Sequence, residues 1–243
     1  MIKVFNSEDL TLTALADLIV VKSREAIAER GRFNFALSGG SSPKRLYELL
    51  VSDMYKDKIQ WGKVFFFFGD ERYVPLNDSN SNYLMAYRSL FDPLSIEADQ
   101  IFAVNTALPP AEAAKDYELR LLRHFKDPAC PFDLILLGLG DNSHTASLFP
   151  FTAVLHEQNA LIKEIFVEEV NMYRITFTAP LINAANAIAF LVYGSSKAEA
   201  VHHILEGTQN LEAYPAQLIK PKSGELYWFM DEAAASRIKR PQA

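Results

Sequence analysis

The chain has 243 residues, with 24 Lys and Arg against 30 Asp and Glu and a formal net charge of −6. That balance argues against a broad cationic face for nucleic acid or an anionic membrane, and no apolar run approaches the length that spans a bilayer. One cysteine, Cys130, permits neither an internal disulfide nor a thiolate metal cluster, and its neighbours Ala129 and Pro131 carry nothing to activate it. No basic stretch followed by an apolar one opens the sequence, so the expectation is a cytoplasmic globular protein.

In chain order, Ser7 with Glu8 and Asp9 marks a helix start, and Leu15, Leu18, Ile19 and Ile27 carry its apolar stripe to Arg30, where Gly31 ends it. Phe33 to Leu37 reads as a strand. It runs into Ser38-Gly39-Gly40-Ser41-Ser42-Pro43, and Pro43 with Leu46, Leu49 and Leu50 begins a second helix. Such a loop turns backbone N–H groups and hydroxyls toward one point at a positive helix end, which suits a phosphate. It lacks the Gly-Lys-Ser/Thr of a Walker loop and is not GxGxxG, so by itself it fits a plain turn equally well.

Val64 to Phe68 reads as a central strand, followed at once by Gly69-Asp70-Glu71-Arg72, charges set at its carboxyl end. Ser79 to Asn82 starts a further helix, and Ala114, Tyr117, Leu121 and Phe125 line another. Phe132 to Leu137 is apolar enough for a strand buried on both faces. Gly138-Leu139-Gly140 turns it, and Asp141, Asn142 and Ser143 cap a short helix that carries His144 and stops at Pro150. Later strands are expected at Tyr173 to Phe177, Ala187 to Tyr193 and Leu226 to Met230. Short helices are expected at Pro180 to Ala185, from Ser195 onward, and at Asp231 to Ile238. Strands alternate with helices and no linker divides them. The fold class is therefore α/β: a doubly wound, mostly parallel sheet flanked by helices, a Rossmann-like three-layer sandwich in one domain over residues 1–243. Ligands of such sheets sit outside the carboxyl ends of the strands, where His144 is placed.

Seven segments together resemble the 6-phosphogluconolactonase family. They are LSGGSSP (37–43), GDER (69–72) with SNY (81–83), GLGDNSHTASLFP (138–150), RIT (174–176), GSSKAEAV (194–201) and KPKSGELYWFMDEAAA (220–235). They run in family order over almost the whole chain; HTASLFP is the most specific, whereas the Gly/Ser loop is shared with related sugar-phosphate isomerases and deaminases. The resemblance implies hydrolysis of 6-phospho-D-glucono-1,5-lactone to 6-phosphogluconate in the oxidative pentose phosphate pathway. One departure stands out: the family's Asp-Gly before the histidine is Asn142-Ser143 here. Asn accepts a hydrogen bond as a neutral, weaker partner than a carboxylate. The related deaminases carry a glutamate shortly after the histidine, where this chain has Phe149, and an apolar ring moves no protons.

Opening a lactone takes a water nucleophile, a base for its proton and stabilisation of an oxyanion. His144 is the expected base, depressed in pKa by a helix N-terminus. Asn142 orients it, and Asp70 and Arg72 hold substrate or the oxyanion unless they are only a structural ion pair. Ser38, Gly39, Gly40, Ser41 and Ser42 are expected to bind the phosphate, with Arg174 and Lys197 neutralising it. His124, His156, His202 and His203 carry no such argument, and no metal or organic cofactor is expected. The expected partner is one small sugar-phosphate lactone, with no nucleic acid and no membrane, on a monomer or weak homo-oligomer. The alternatives are an amino-sugar-phosphate isomerase or deaminase, and a non-catalytic sugar-phosphate-binding protein in which Asn142 marks lost catalysis.

Overall fold

A computed structural model describes residues 1–125 and 132–239; Cys130 lies outside the described residues. The chain begins with β1 (Ile2–Phe5), α1 (Glu8–Arg30), β2 (Phe33–Leu37) and α2 (Ser41–Leu50). It continues through β3 (Val64–Phe68), β4 (Asp70–Arg72), α3 (Asn82–Ala86), β5 (Ile101–Phe102), α4 (Pro110–His124) and β6 (Leu134–Leu137). The last third holds β7 (Ile162–Val167), β8 (Met172–Phe177), α5 (Ala179–Asn183), β9 (Ala187–Val192), α6 (Ala198–Leu205) and β10 (Glu225–Asp231). Ser7 caps α1 by accepting from the Leu10 N–H, and Gly31 closes it with its own N–H on the Ile27 carbonyl.

Seven strands form one parallel sheet in the order β1-β10-β9-β6-β2-β3-β5. Alternation along each strand distributes its side chains between two cores. In β3, Phe66 and Phe68 join the helices α1, α2 and α3 on one face, whereas Phe67 joins α4, α5 and α6 on the other. Leu134 and Leu136 against Ile135 and Leu137 repeat the division, as do Ala189 and Leu191 against Ile188 and Phe190. Both faces are therefore covered, which is why these strands read as unbroken apolar runs. The run of phenylalanines is not central, however: β3 lies one strand in from the edge, beside the two-residue β5.

Three sequence expectations are corrected. Residues 70–72 do not end a strand but form one, in a second sheet ordered β4-β8-β7, antiparallel throughout, that packs on the α4 face. The stretch after Gly140 is not helical; Ser143, Ala146 and Phe151 have φ of 67°, 47° and 59°, values that break a right-handed helix at each point. Residues 232–238 are turns rather than a terminal helix. Among the described residues no helix is long and apolar enough to cross a membrane.

The order of strands fixes where a ligand can enter. From β2 the chain moves outward to β3 and β5, then returns to place β6 on the other side of β2. Loops leaving β2 and β6 therefore diverge, opening a crevice at their carboxyl ends.

Candidate active site

The Gly/Ser loop leaves β2, and the loop carrying His144 leaves the neighbouring β6. A cavity of about 270 Å³ opens between them, lined by Ser38, Gly39, Gly40, Ser41, Ser42, Asp70, Arg72, Asn82, His144, Tyr193 and Lys197 among others. Nine of the residues singled out from the sequence thus share one chamber. Two do not line it: Asn142 and Arg174 stand behind His144 and Arg72.

Two glycines are required by close approach. A Cβ on Gly140 would fall 2.1 Å from His144 Nδ1, and one on Gly39 would fall 2.0 Å from Asn82 Oδ1; the imidazole and the Asn82 amide occupy the space a side chain would need. On its other side the His144 ring stacks on Phe149, centroids 4.1 Å apart and planes at 17°. The loop is closed by the Gly140 N–H on the His144 carbonyl (2.8 Å) and by Thr145 Oγ1 on the Gly138 carbonyl (2.9 Å). The imidazole is thus held on both faces.

Its edge is held by Asn142. The His144 Nδ1–H donates to Asn142 Oδ1 at 2.5 Å, and the His144 backbone N–H approaches the same oxygen at 3.3 Å. With the proton on Nδ1, Nε2 keeps its lone pair. Burial pulls the His144 pKa down to about 4; Asp70 and Asp141 oppose that shift, while Lys197 and Arg174 add to it. The depression expected from the sequence is present, but its cause is desolvation and not a helix terminus.

Asp70 is buried and accepts from Ser147 Oγ at 2.7 Å, while its backbone carbonyl accepts from Asn82 Nδ2 at 2.8 Å. Arg72 donates to the Asn80 carbonyl at 2.8 Å. Among the described residues the two form no ion pair with each other. Glu71, between them, turns the other way: it accepts from the backbone N–H groups of Asn82 and Tyr83 and supports the start of α3. Burial raises its pKa, opposed by those N–H groups.

The antiparallel register sets Arg72 directly opposite Arg174, and Asp70 opposite Thr176. Two guanidinium groups facing each other across a ladder repel. Arg174 Nε and Nη1 are buried without a hydrogen-bond partner, and burial lowers the Arg174 pKa, with Asp70 opposing and Arg72 adding. An exposed, solvated cation is excluded for Arg174. Lys197, at the cavity wall, pairs with Asp141 at 2.7 Å. At the start of α2 no side chain caps the helix, so its first N–H groups face the cavity beside Ser41 and Ser42.

Residues 6–228 match the family model described as glucosamine-6-phosphate isomerases/6-phosphogluconolactonase. The chain belongs to that family. Within it, a 6-phosphogluconolactonase of Nostoc is 40% identical over 98% of this chain and 98% of its own, and one of Synechocystis is 41% identical over 91% and 92%. The structure of the Trypanosoma brucei 6-phosphogluconolactonase superimposes with a TM-score of 0.85 at 27% identity, covering 98% of each chain.

Several residues at or beside the chamber escaped the reading of single positions. Ser147 and Asn82 lie inside motifs, HTASLFP and SNY, but only tertiary contacts show that both hold Asp70. Tyr193, closing β9, had no signal beyond its place at a strand end. His202 and His203 lie beside Glu206 and Glu199 on and next to α6, and His203 stacks on Tyr214. His156 pairs with Glu212, and His124 packs against Phe65, Phe67 and Phe102.

Proposed function

We propose that this protein hydrolyses 6-phospho-D-glucono-1,5-lactone to 6-phosphogluconate, the activity in the names of its family relatives. The observation that carries this reading is the shared chamber: a desolvated imidazole with a free Nε2 faces an anion cradle across a space sized for one small polar metabolite. In this reading the 6-phosphate lies on Ser38 to Ser42, against the uncapped N–H groups of α2. Arg72 and Lys197 present cations to the anion from the chamber lining, and Arg174, which does not line it, adds positive charge from across the β4–β8 ladder. The phosphate supplies the counter-charge that the two facing arginines lack.

His144 Nε2 takes the proton of a water that attacks the lactone carbonyl, and returns it to the ring oxygen as the tetrahedral intermediate opens. Asn142 Oδ1 holds the Nδ1–H throughout, so the ring stays aimed while it carries charge. Asp70, anchored by Ser147, faces the imidazolium that forms. The positive potential of the chamber wall favours the oxyanion as it develops. Water, base and charge stabilisation complete the reaction with side chains alone, in a single domain over residues 1–243.

A positioned base contributes on the order of 10²–10⁴-fold, so H144A is expected to fall by that factor in kcat. The assay is acid release from 6-phosphogluconolactone, corrected for spontaneous opening. Equal rates with wild-type protein and H144A would overturn the proposal. Phe149 stacked on His144 weighs against a deaminase, since it puts an apolar ring where proton transfer would be required.

A further inference from the structure

Asn142 has a second contact beyond His144. Its Nδ2 donates to Glu169 Oε2 at 3.4 Å. Glu169 lies in the turn Glu168–Val170 joining β7 to β8, 27 residues further along the chain, and it lines the wide cleft adjoining the active-site chamber together with Asn142, Phe149 and Phe166. The three side chains form a row: carboxylate, carboxamide, imidazole.

We infer that Glu169 is a positioning residue for His144, acting through Asn142 and supplying from one step further out the carboxylate that this chain lacks at position 142. The reasoning rests on the chemistry of an amide. Asn presents an acceptor at one end and a donor at the other, and the two ends differ little in shape. With Oδ1 toward His144, the imidazole must carry its proton on Nδ1, leaving Nε2 basic. With Nδ2 toward His144, Nδ1 becomes the acceptor, the proton moves to Nε2, and the base is lost. A carboxylate only accepts, so Glu169 binds Nδ2 and repels Oδ1. The His144 backbone N–H, at 3.3 Å from Oδ1, favours the same orientation. Glu169 also polarises the amide, making Oδ1 a stronger acceptor for the imidazolium as it forms. A carboxylate at position 142 would need no such partner, because both its oxygens accept. It would instead stand against Glu169 as a like charge.

This inference deepens the lactonase reading and rests on it for kinetics, but its structural test does not. ¹⁵N-detected NMR of the full-length protein reports which His144 nitrogen carries the proton. The wild-type protein is expected to hold the Nδ1–H form, and E169Q to retain it, because a Gln oxygen can accept from Asn142. E169A is expected to show a mixed tautomer population and a kcat about five- to tenfold lower at unchanged KM, the scale of one lost hydrogen bond. Exchange of partners is the sharper test. N142D sets two carboxylates together, whereas N142D/E169Q restores the bond with donor and acceptor reversed. The double variant is expected to exceed N142D several-fold in kcat. An E169A protein with wild-type tautomer and wild-type kcat, or an N142D whose rate ignores residue 169, would overturn the inference. Failure of every variant and of the wild type to open the lactone, with the tautomer still dependent on residue 169, would sink the substrate assignment and leave the positioning role standing.

Discussion

The imidazole of His144 and the ring of Phe149 lie almost parallel, centroids 4.1 Å apart. The base is therefore clamped between this ring and the bare backbone of Gly140, and only its Nε2 edge is left to the chamber. Such a clamp limits the imidazole to one orientation before substrate arrives, so less ordering is left to the reaction itself.

Removing either jaw should therefore cost rate. F149A is expected to lower kcat about three- to tenfold, in line with the roughly 0.5–1.5 kcal/mol that an aromatic pair contributes beyond its buried area. F149L, which keeps an apolar contact without the planar stack, should lose less. Steady-state kinetics on the lactone distinguish the two, and a F149A rate equal to wild type would show that the stack has no part in orientation.

The other jaw leaves less room for adjustment. In G140A the new methyl meets Nδ1 and Cε1 of His144 at 2.1 and 2.2 Å, so the ring must leave its place. A kcat loss on the order of 10²-fold is expected, approaching that of H144A, because a displaced base is worth little more than an absent one. Circular dichroism should show an intact fold.

Arg174 links binding to stability with opposite signs. It faces Arg72 across the β4–β8 ladder, half-buried, with Nε and Nη1 short of partners. R174M removes a like-charge pair and a desolvated guanidinium, and is expected to raise the thermal midpoint by a few degrees. The same change should raise KM for the phosphorylated lactone by about tenfold or more with kcat little altered. Inorganic phosphate should stabilise the wild-type protein in a thermal-shift titration and R174M much less. A destabilised R174M would mean that Arg72 and Arg174 attract no anion and serve only packing.

The pH dependence has a definite direction. His144 titrates near 4 in the folded protein because it is buried, and a base works only when neutral. The acid limb of kcat/KM should therefore have its midpoint near 4, with a plateau from about pH 5 upward. In N142D the carboxylate favours imidazolium, so the limb should move up in pH and the rate at pH 7.5 should hold or rise. A wild-type limb near the ordinary histidine value of about 6.5 would contradict the burial argument.

The same shift governs stability. Between pH 6.5 and 4 the unfolded chain protonates His144 and the folded one does not, so stability falls as pH falls through that window and gains nothing above it. The whole effect is about 3 kcal/mol at most. H144Q should show a shallower decline of thermal midpoint over the same range.

Much of the fold was legible because single residues forced it. Four consecutive phenylalanines permit only a strand covered on both faces, and that is what Phe65 to Phe68 form. Ser7 and Gly31 bound α1 where local chemistry says they should. Motifs after β2 and β6 pointed to one pocket because parallel strands put all their carboxyl ends on one side.

What stayed hidden depended on partners distant in sequence. Asp141, Asn142 and Ser143 are good helix caps, yet their loop turns through positive φ at Ser143 and Ala146, stabilised by the contacts of Ser147 with Thr176 and Asp70. Residues 70–72 gave no strand signal of their own, since three charges pair as a strand only when β8 is already beside them. Local sequence determined most of the strands and helices and which loops meet at the crevice, because propensity and burial act over a few residues. Register determined that Arg72 faces Arg174, and the meeting of two loops determined that Glu169 reaches Asn142, because hydrogen bonds and charge act across space between segments the sequence keeps far apart.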